Sequence, residues 1–163
     1  MDDLFAPPGP GWQRVSPALA RVRRILLAVG LGALVVVVTV LWVLLDPPSW
    51  LPATLLVALA ALGVWSWVLI GRNARRWGYV ERDEELFITR GAMFRRLVVV
   101  PYGRMQYVDV QAGPIDRAFG LARVQLHTAA PGTTAHIPGL PAAEAARLRD
   151  RLTALGEAQA AGL

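Results

Sequence analysis

A handful of polar side chains are the candidates for contact with a lipid or a partner, each beside a purely structural reading. Arg90, Arg95 and Arg96 bracket the turn residues 91–94, which gathers three guanidiniums at one hairpin end. Such an edge can touch anionic lipid, each arginine contributing about 1 kcal/mol near a charged surface; a merely solvated hairpin end is the competing reading. Arg104 and Gln106 stand at the entry to a strand, and Arg117 follows Asp116 in the turn from Gly113 to Gly120, where a carboxylate beside a guanidinium suits loop geometry as well as binding. His127 and His136 flank an Ala-Pro-Gly turn and are expected as a cross-strand polar pair, since zinc wants three or four ligands and two imidazoles fall short. For covalent chemistry the inventory is thin. Ser16, Ser49 and Ser66 all precede Gly78, cysteine is absent, no base sits beside a nucleophile, and no phosphate-binding or dinucleotide fingerprint occurs. The expectation is a non-enzyme with no cofactor, metal or small-molecule substrate.

The elements that must position these groups begin with two apolar runs. Ile25 to Leu45 is 21 residues without a charge, and Leu51 to Ile70 is 20. At about 1.5 Å per helical residue, each reaches across the roughly 30 Å of a hydrocarbon core. Fifteen Leu, Ile and Val residues in the first run total several kcal/mol in favour of insertion at about −0.3 to −0.6 kcal/mol each, whereas the second has ten and is the weaker span. The β-branched stretch 35–40 would favour a strand in water, but in lipid each main-chain N–H and C=O must be paired within the segment, which imposes a helix. A cleaved signal peptide does not fit, because the run starts late, is too long and lacks a small-x-small site. The intervening Asp46-Pro47-Pro48-Ser49-Trp50 then reads as a five-residue loop between antiparallel transmembrane helices.

Arg21, Arg23 and Arg24 precede the first span and Arg72, Arg75 and Arg76 follow the second, while the loop carries only Asp46. The positive-inside rule predicts a multi-pass protein of the cytoplasmic membrane with both termini in the cytoplasm, Trp50 and Trp77 joining the arginines as interface anchors. The net charge of +5 is thereby explained by topology. From Tyr79 onward ten Arg face nine Asp plus Glu, so the balance points to headgroups and not to nucleic acid.

Residues 1–20 read as a flexible tail and juxtamembrane segment, 21–76 as the transmembrane hairpin, 77–156 as a cytoplasmic domain and 157–163 as a tail. Within the domain, Leu86 and Ile88, then Val108 and Val110, then Val124 and Leu126 alternate as inward positions of short strands. Leu97 to Val100, a continuous apolar run, is expected to be buried on both sides or to lie against the membrane. A helix is predicted from Pro141, with Ala145, Leu148, Leu152 and Leu155 as its apolar stripe and Glu144, Arg147, Asp150 and Arg151 on its wet side. The fold class is α+β, a two-helix transmembrane hairpin followed by antiparallel strands and a capping helix.

Val100-Pro101-Tyr102 with Arg104 and Gln106, Gly113-Pro114 with Arg117, Gly120-Leu121-Ala122 and Ile137-Pro138-Gly139-Leu140 carry a resemblance to the bacterial pleckstrin-homology (PH) domains of the membrane-flanked, YdbS-like family. It extends over roughly Trp12 to Leu152. The resemblance implies a PH-like β-roll of two antiparallel sheets capped by a C-terminal α-helix, and no established activity. Eukaryotic PH domains that bind phosphoinositides use basic residues around the first hairpin; here that turn is Arg82-Asp83-Glu84-Glu85, which argues against inositol-phosphate recognition. The expected role is a membrane-anchored scaffold or adaptor for a protein partner or a second copy of the chain. The alternatives are an anionic-lipid-sensing module and an accessory subunit of an envelope or transport complex.

Overall fold

A computed structural model of the protein describes residues 11–128 and 134–161. The chain divides into two units, Ala20–Arg72 on the one hand and Met1–Leu19 together with Asn73–Leu163 on the other. The first is built on α1 (Ala18–Leu45) and α2 (Trp50–Arg75). At 28 and 26 residues they rise about 42 and 39 Å, more than a hydrocarbon core requires. The β-branched stretch is helical, and Thr39 donates its hydroxyl to the Val35 carbonyl at 2.9 Å, which satisfies the one polar side chain there. The connection is one residue shorter than expected, because Trp50 already belongs to α2; Asp46, at φ 42°, turns the chain back. Most Leu and Val side chains of both helices are exposed, including Val29, Val36, Val43, Leu44, Val57 and Val64. A surface of that kind suits acyl chains and not water. Only at close approaches do the helices bury groups against each other: a Cβ added to Gly63 would lie 2.8 Å from Leu31 Cδ1.

The second unit starts before the first helix. Gln13–Arg14 forms β1, which pairs antiparallel with β2 (Gly78–Glu81), followed in the same sheet by β3 (Glu85–Arg90) and β4 (Arg96–Pro101). A 3-10 turn at Tyr102–Arg104 leads to β5 (Met105–Gln111), and β5, β6 (Leu121–Thr128) and β7 (Thr134–Pro141) make the second sheet, with α3 (Pro114–Ala118) between β5 and β6. The last element is α4 (Ala142–Ala161). The inward positions read from alternation are the core: Leu86, Ile88, Val124 and Leu126 are fully enclosed, Val108 and Val110 pack against them, and the helical stripe of Ala145, Leu148 and Leu152 closes the same cluster. Each large aliphatic side chain there contributes about 1.5–3 kcal/mol on burial.

Several expectations need correction. The segment read as a juxtamembrane tail belongs to this unit: Val15 and Leu19 join the core, and Ser16 N donates to the Gly139 carbonyl at 2.9 Å. Gly139 adopts φ +69°, and a Cβ there would lie 2.7 Å from that of Leu19, so the docking requires glycine on both counts. Trp77, expected as an interface anchor, is 5% exposed and packs within the core instead. The run Leu97–Val100 is buried on one face only: Val100 is enclosed, but Val99 on the other face is 41% exposed. Pro141 closes β7, opposite Leu121, and the helix starts one residue later. The helix also continues through the stretch taken as a tail from residue 157.

Candidate functional site

The six polar candidates fall in three places. Arg90 and Arg96 stand directly opposite each other at the end of the β3–β4 ladder, with Arg95 beside them, so the predicted gathering is real. The turn they frame has fixed geometry. Gly91 lies at φ +104°, and a Cβ there would collide with the main-chain oxygen of Phe94, so no other residue fits. Arg76 Nη1 donates to the Ala92 carbonyl at 2.8 Å, and the Arg90 guanidinium lies 6.0 Å above the Trp77 ring.

Arg104 and Gln106 lie at the corner between the sheets. Tyr102 pins that corner from inside, donating its hydroxyl to the Arg82 carbonyl at 2.9 Å and its N–H to that of Glu84 at 3.0 Å. In the register of β5 with β6, Met105 faces Thr128 and Tyr107 faces His127, so Gln106 has no opposite residue and forms a bulge. The bulge sits on a groove of about 340 Å³ where Gln106, Tyr107 and Val108 of β5 approach Thr153, Gly156 and Glu157 of α4. Among the described residues β5 has a strand neighbour on one side only. Arg104 is exposed one residue before this strand. Arg117 is exposed on α3, beyond the far end of β5 and about 20 Å along the strand direction from Gln106. Its turn is closed by main-chain bonds, Arg117 N to the Gly113 carbonyl at 2.9 Å and Gly120 N to the Arg117 carbonyl at 3.0 Å; no ion pair joins it to Asp116 among the described residues.

The two histidines are not opposite each other. His127 faces Thr134 and His136 faces Gln125, so the register beside the turn is two residues away from the one that would pair them. Each has its own aromatic neighbour: His127 stacks on Tyr107 at 4.2 Å, and His136 lies 5.4 Å from Trp77. The turn between them lies outside the described residues.

Sequence reasoning missed a polar network. The Tyr79 hydroxyl, buried, lies 2.6 Å from Gln13 Oε1 and 2.7 Å from Glu144 Oε1; its single proton goes to the carboxylate, the stronger acceptor. Arg147 donates from Nη2 to Glu144 and to Glu81, each at 2.6 Å. Arg151 Nε lies 2.9 Å from Glu81 Oε2 but out of line for a hydrogen bond, so that contact is electrostatic. Burial and then the Glu144 carboxylate push the Tyr79 hydroxyl well above its usual range, and the bond from Arg147 holds Glu144 below the usual carboxylate range. The group clamps β1, β2 and α4 together. The shared face of Tyr79 and Glu81 and the three-residue spacing of Glu144 and Arg147 were the available signals.

Of the remaining interface candidates, Arg24 stacks 4.8 Å above the Trp67 ring, Arg23 is half-buried, and Arg21, Arg72, Arg75 and Trp50 are exposed. Comparison with known proteins gives a family assignment consistent with this architecture. A family model described as Bacterial PH domain matches residues 19–155. The chain is 34% identical over 137 residues to the UPF0699 transmembrane protein YdbS of Bacillus subtilis (strain 168), an alignment spanning 83% of this chain and 84% of that protein. No solved structure matches.

Proposed function

The chain belongs to the bacterial PH domain family, and from that premise we propose that it is a membrane-anchored scaffold which docks an extended segment of a protein partner along β5. The observation that carries this reading is the groove between β5 and α4. An edge strand offers unpaired N–H and C=O groups, and a peptide added there gains main-chain hydrogen bonds while its alternate side chains enter the adjacent groove. The Gln106 bulge and the exposed Tyr107 supply a polar and an aromatic contact at its mouth.

The anchor is the helical hairpin, read as two crossings. Because residues 13–19 fold into one domain with residues that follow α2, an even number of crossings between them is favoured. The arginines at both flanks, against a loop bearing only Asp46, favour the cytoplasm as the side of the domain. The docking is tested by placing a photo-reactive residue at Thr153, with exposed Arg123 on β6 as control, in the full chain in intact cells. The expected result is an adduct of one discrete mass from position 153, absent from 123 and lost with Gly156→Arg, which fills the groove. An adduct twice the chain mass identifies the partner as a second copy. No adduct at 153, or the same pattern at 123, overturns the reading.

A further inference from the structure

We propose that the β3–β4 hairpin is a second membrane contact, in which Met93 and Phe94 enter the interface of an anionic bilayer while Arg90, Arg95 and Arg96 meet lipid phosphates. This does not depend on the β5 groove and rests only on α1 and α2 being inserted.

Phe94 is 82% exposed and Met93 67%, adjacent residues at the tip of a turn. Single exposed apolar side chains are ordinary, but two neighbours at a tip framed by three guanidiniums form the pattern of an interfacial anchor. The turn is also presented rigidly, since Gly91 admits no other residue and the Ala92 carbonyl is held by Arg76. Little conformational entropy is therefore lost when the tip is ordered at a surface.

Chain connectivity limits how far the tip can be tethered from the end of the span. Arg76 follows directly on α2, six residues after Ile70, where the uncharged run ends. That is at most about 9 Å of helical rise, comparable to the headgroup layer of about 5–8 Å on each side of the hydrocarbon. The hydrogen bond from Arg76 thus ties the tip to a residue that itself leaves the membrane.

Charge selects the occupant. Arg90 and Arg96 oppose each other across the ladder, an arrangement that costs stability unless an anion lies between them. Phosphate oxygens at an interface, with acyl chains just below, match both the cationic rim and the apolar tip; the acidic β2–β3 turn offers neither.

The test uses the full chain, which has no cysteine of its own, in nanodiscs with or without about one-third anionic lipid. A spin label at Met93→Cys is compared with one at Asp83→Cys on the β2–β3 turn. The expected result is that the Met93 label is oxygen-accessible and shielded from a water-soluble relaxant in anionic discs, while the Asp83 label stays aqueous. At about fivefold per arginine, replacing Arg90, Arg95 and Arg96 by Gln should lower the inserted fraction relative to the free one roughly 100-fold. Phe94→Ser, at an exposed position, should release the tip without unfolding the domain. A Met93 label as aqueous as that at Asp83 in anionic discs overturns the proposal. So does a label shielded equally in discs without anionic lipid, which would mean that lipid charge does not select the contact.

Discussion

Arg147 occupies the side of α4 that its sequence marks as wet, yet its removal is expected to be among the costlier single changes outside the core. The Glu81 side chain is 8% exposed, and among the described residues its one well-aligned hydrogen bond comes from Arg147 at 2.6 Å. With Ala at 147, that carboxylate stays enclosed, and only the misaligned Arg151 remains near it. Breaking a fully buried pair costs about 3–5 kcal/mol and an exposed pair about 0–1. Arg147 is itself partly open to solvent, so the loss at Glu81 is set at about 2 kcal/mol. The three-residue pair with Glu144 adds about 0.4 kcal/mol. For a domain of this size, Arg147→Ala should lower the thermal midpoint by about 10 °C, at roughly 4 °C per kcal/mol. The assay is thermal unfolding of the full chain in mild detergent, read by the fluorescence of buried Trp77. Glu81→Gln removes the stranded charge, so Arg147→Ala made in that background should cost under about 1 kcal/mol. Equal costs in the two backgrounds would refute the reasoning, since they would mean that the pair does not interact.

Two further outcomes follow from the same geometry and from topology. The Tyr79 hydroxyl is raised above its ordinary 10.0 by burial and then Glu144, and that of Tyr102 by burial and then the charge of Glu81. Raised folded-state values mean that stability is intact below about pH 10 and is lost as the pH climbs beyond, by up to about 1.4 kcal/mol per pH unit for each tyrosine; a denaturation series above pH 10 should flatten in Tyr79→Phe with Tyr102→Phe. Glu144 runs the other way, its contribution being present above its ordinary 4.5 and lost as the pH falls towards its depressed folded value. For topology, a single cysteine at Ser49 should react with a membrane-impermeant maleimide in intact cells, whereas one at Arg123 should react only after permeabilisation. The reverse pattern would invert the assigned orientation.

Where burial has a period, the sequence is transparent. Leu86 and Ile88 alternate, Ala145, Leu148 and Leu152 repeat at helical spacing, and each pattern states its own inward face. What escaped is long-range. Gln13 and Arg14 carry no strand signal of their own and become a strand only because β2, more than sixty residues later, offers an edge. Trp77 resembles an interface residue in one dimension, and only the sheet geometry beneath it makes it core. The histidine register was set by how the β6–β7 connection closes, a pairing two residues from the symmetric one that no composition announces. At the candidate sites the arginine hairpin was legible as a run of charge. The Gln106 groove was not, since it exists only where β5 meets a helix from the far end of the chain.

The docking of Val15 and Leu19 into a core otherwise made after the second helix has a consequence for biosynthesis. The nascent N-terminal stub cannot complete its packing until Gly139 has been translated, some 120 residues later, or about 6–24 s at ordinary ribosomal speed. On the proposed two-crossing topology, an anchor that crossed only once would leave stub and acceptor on opposite sides of the bilayer, with two apolar surfaces uncovered for proteases to find.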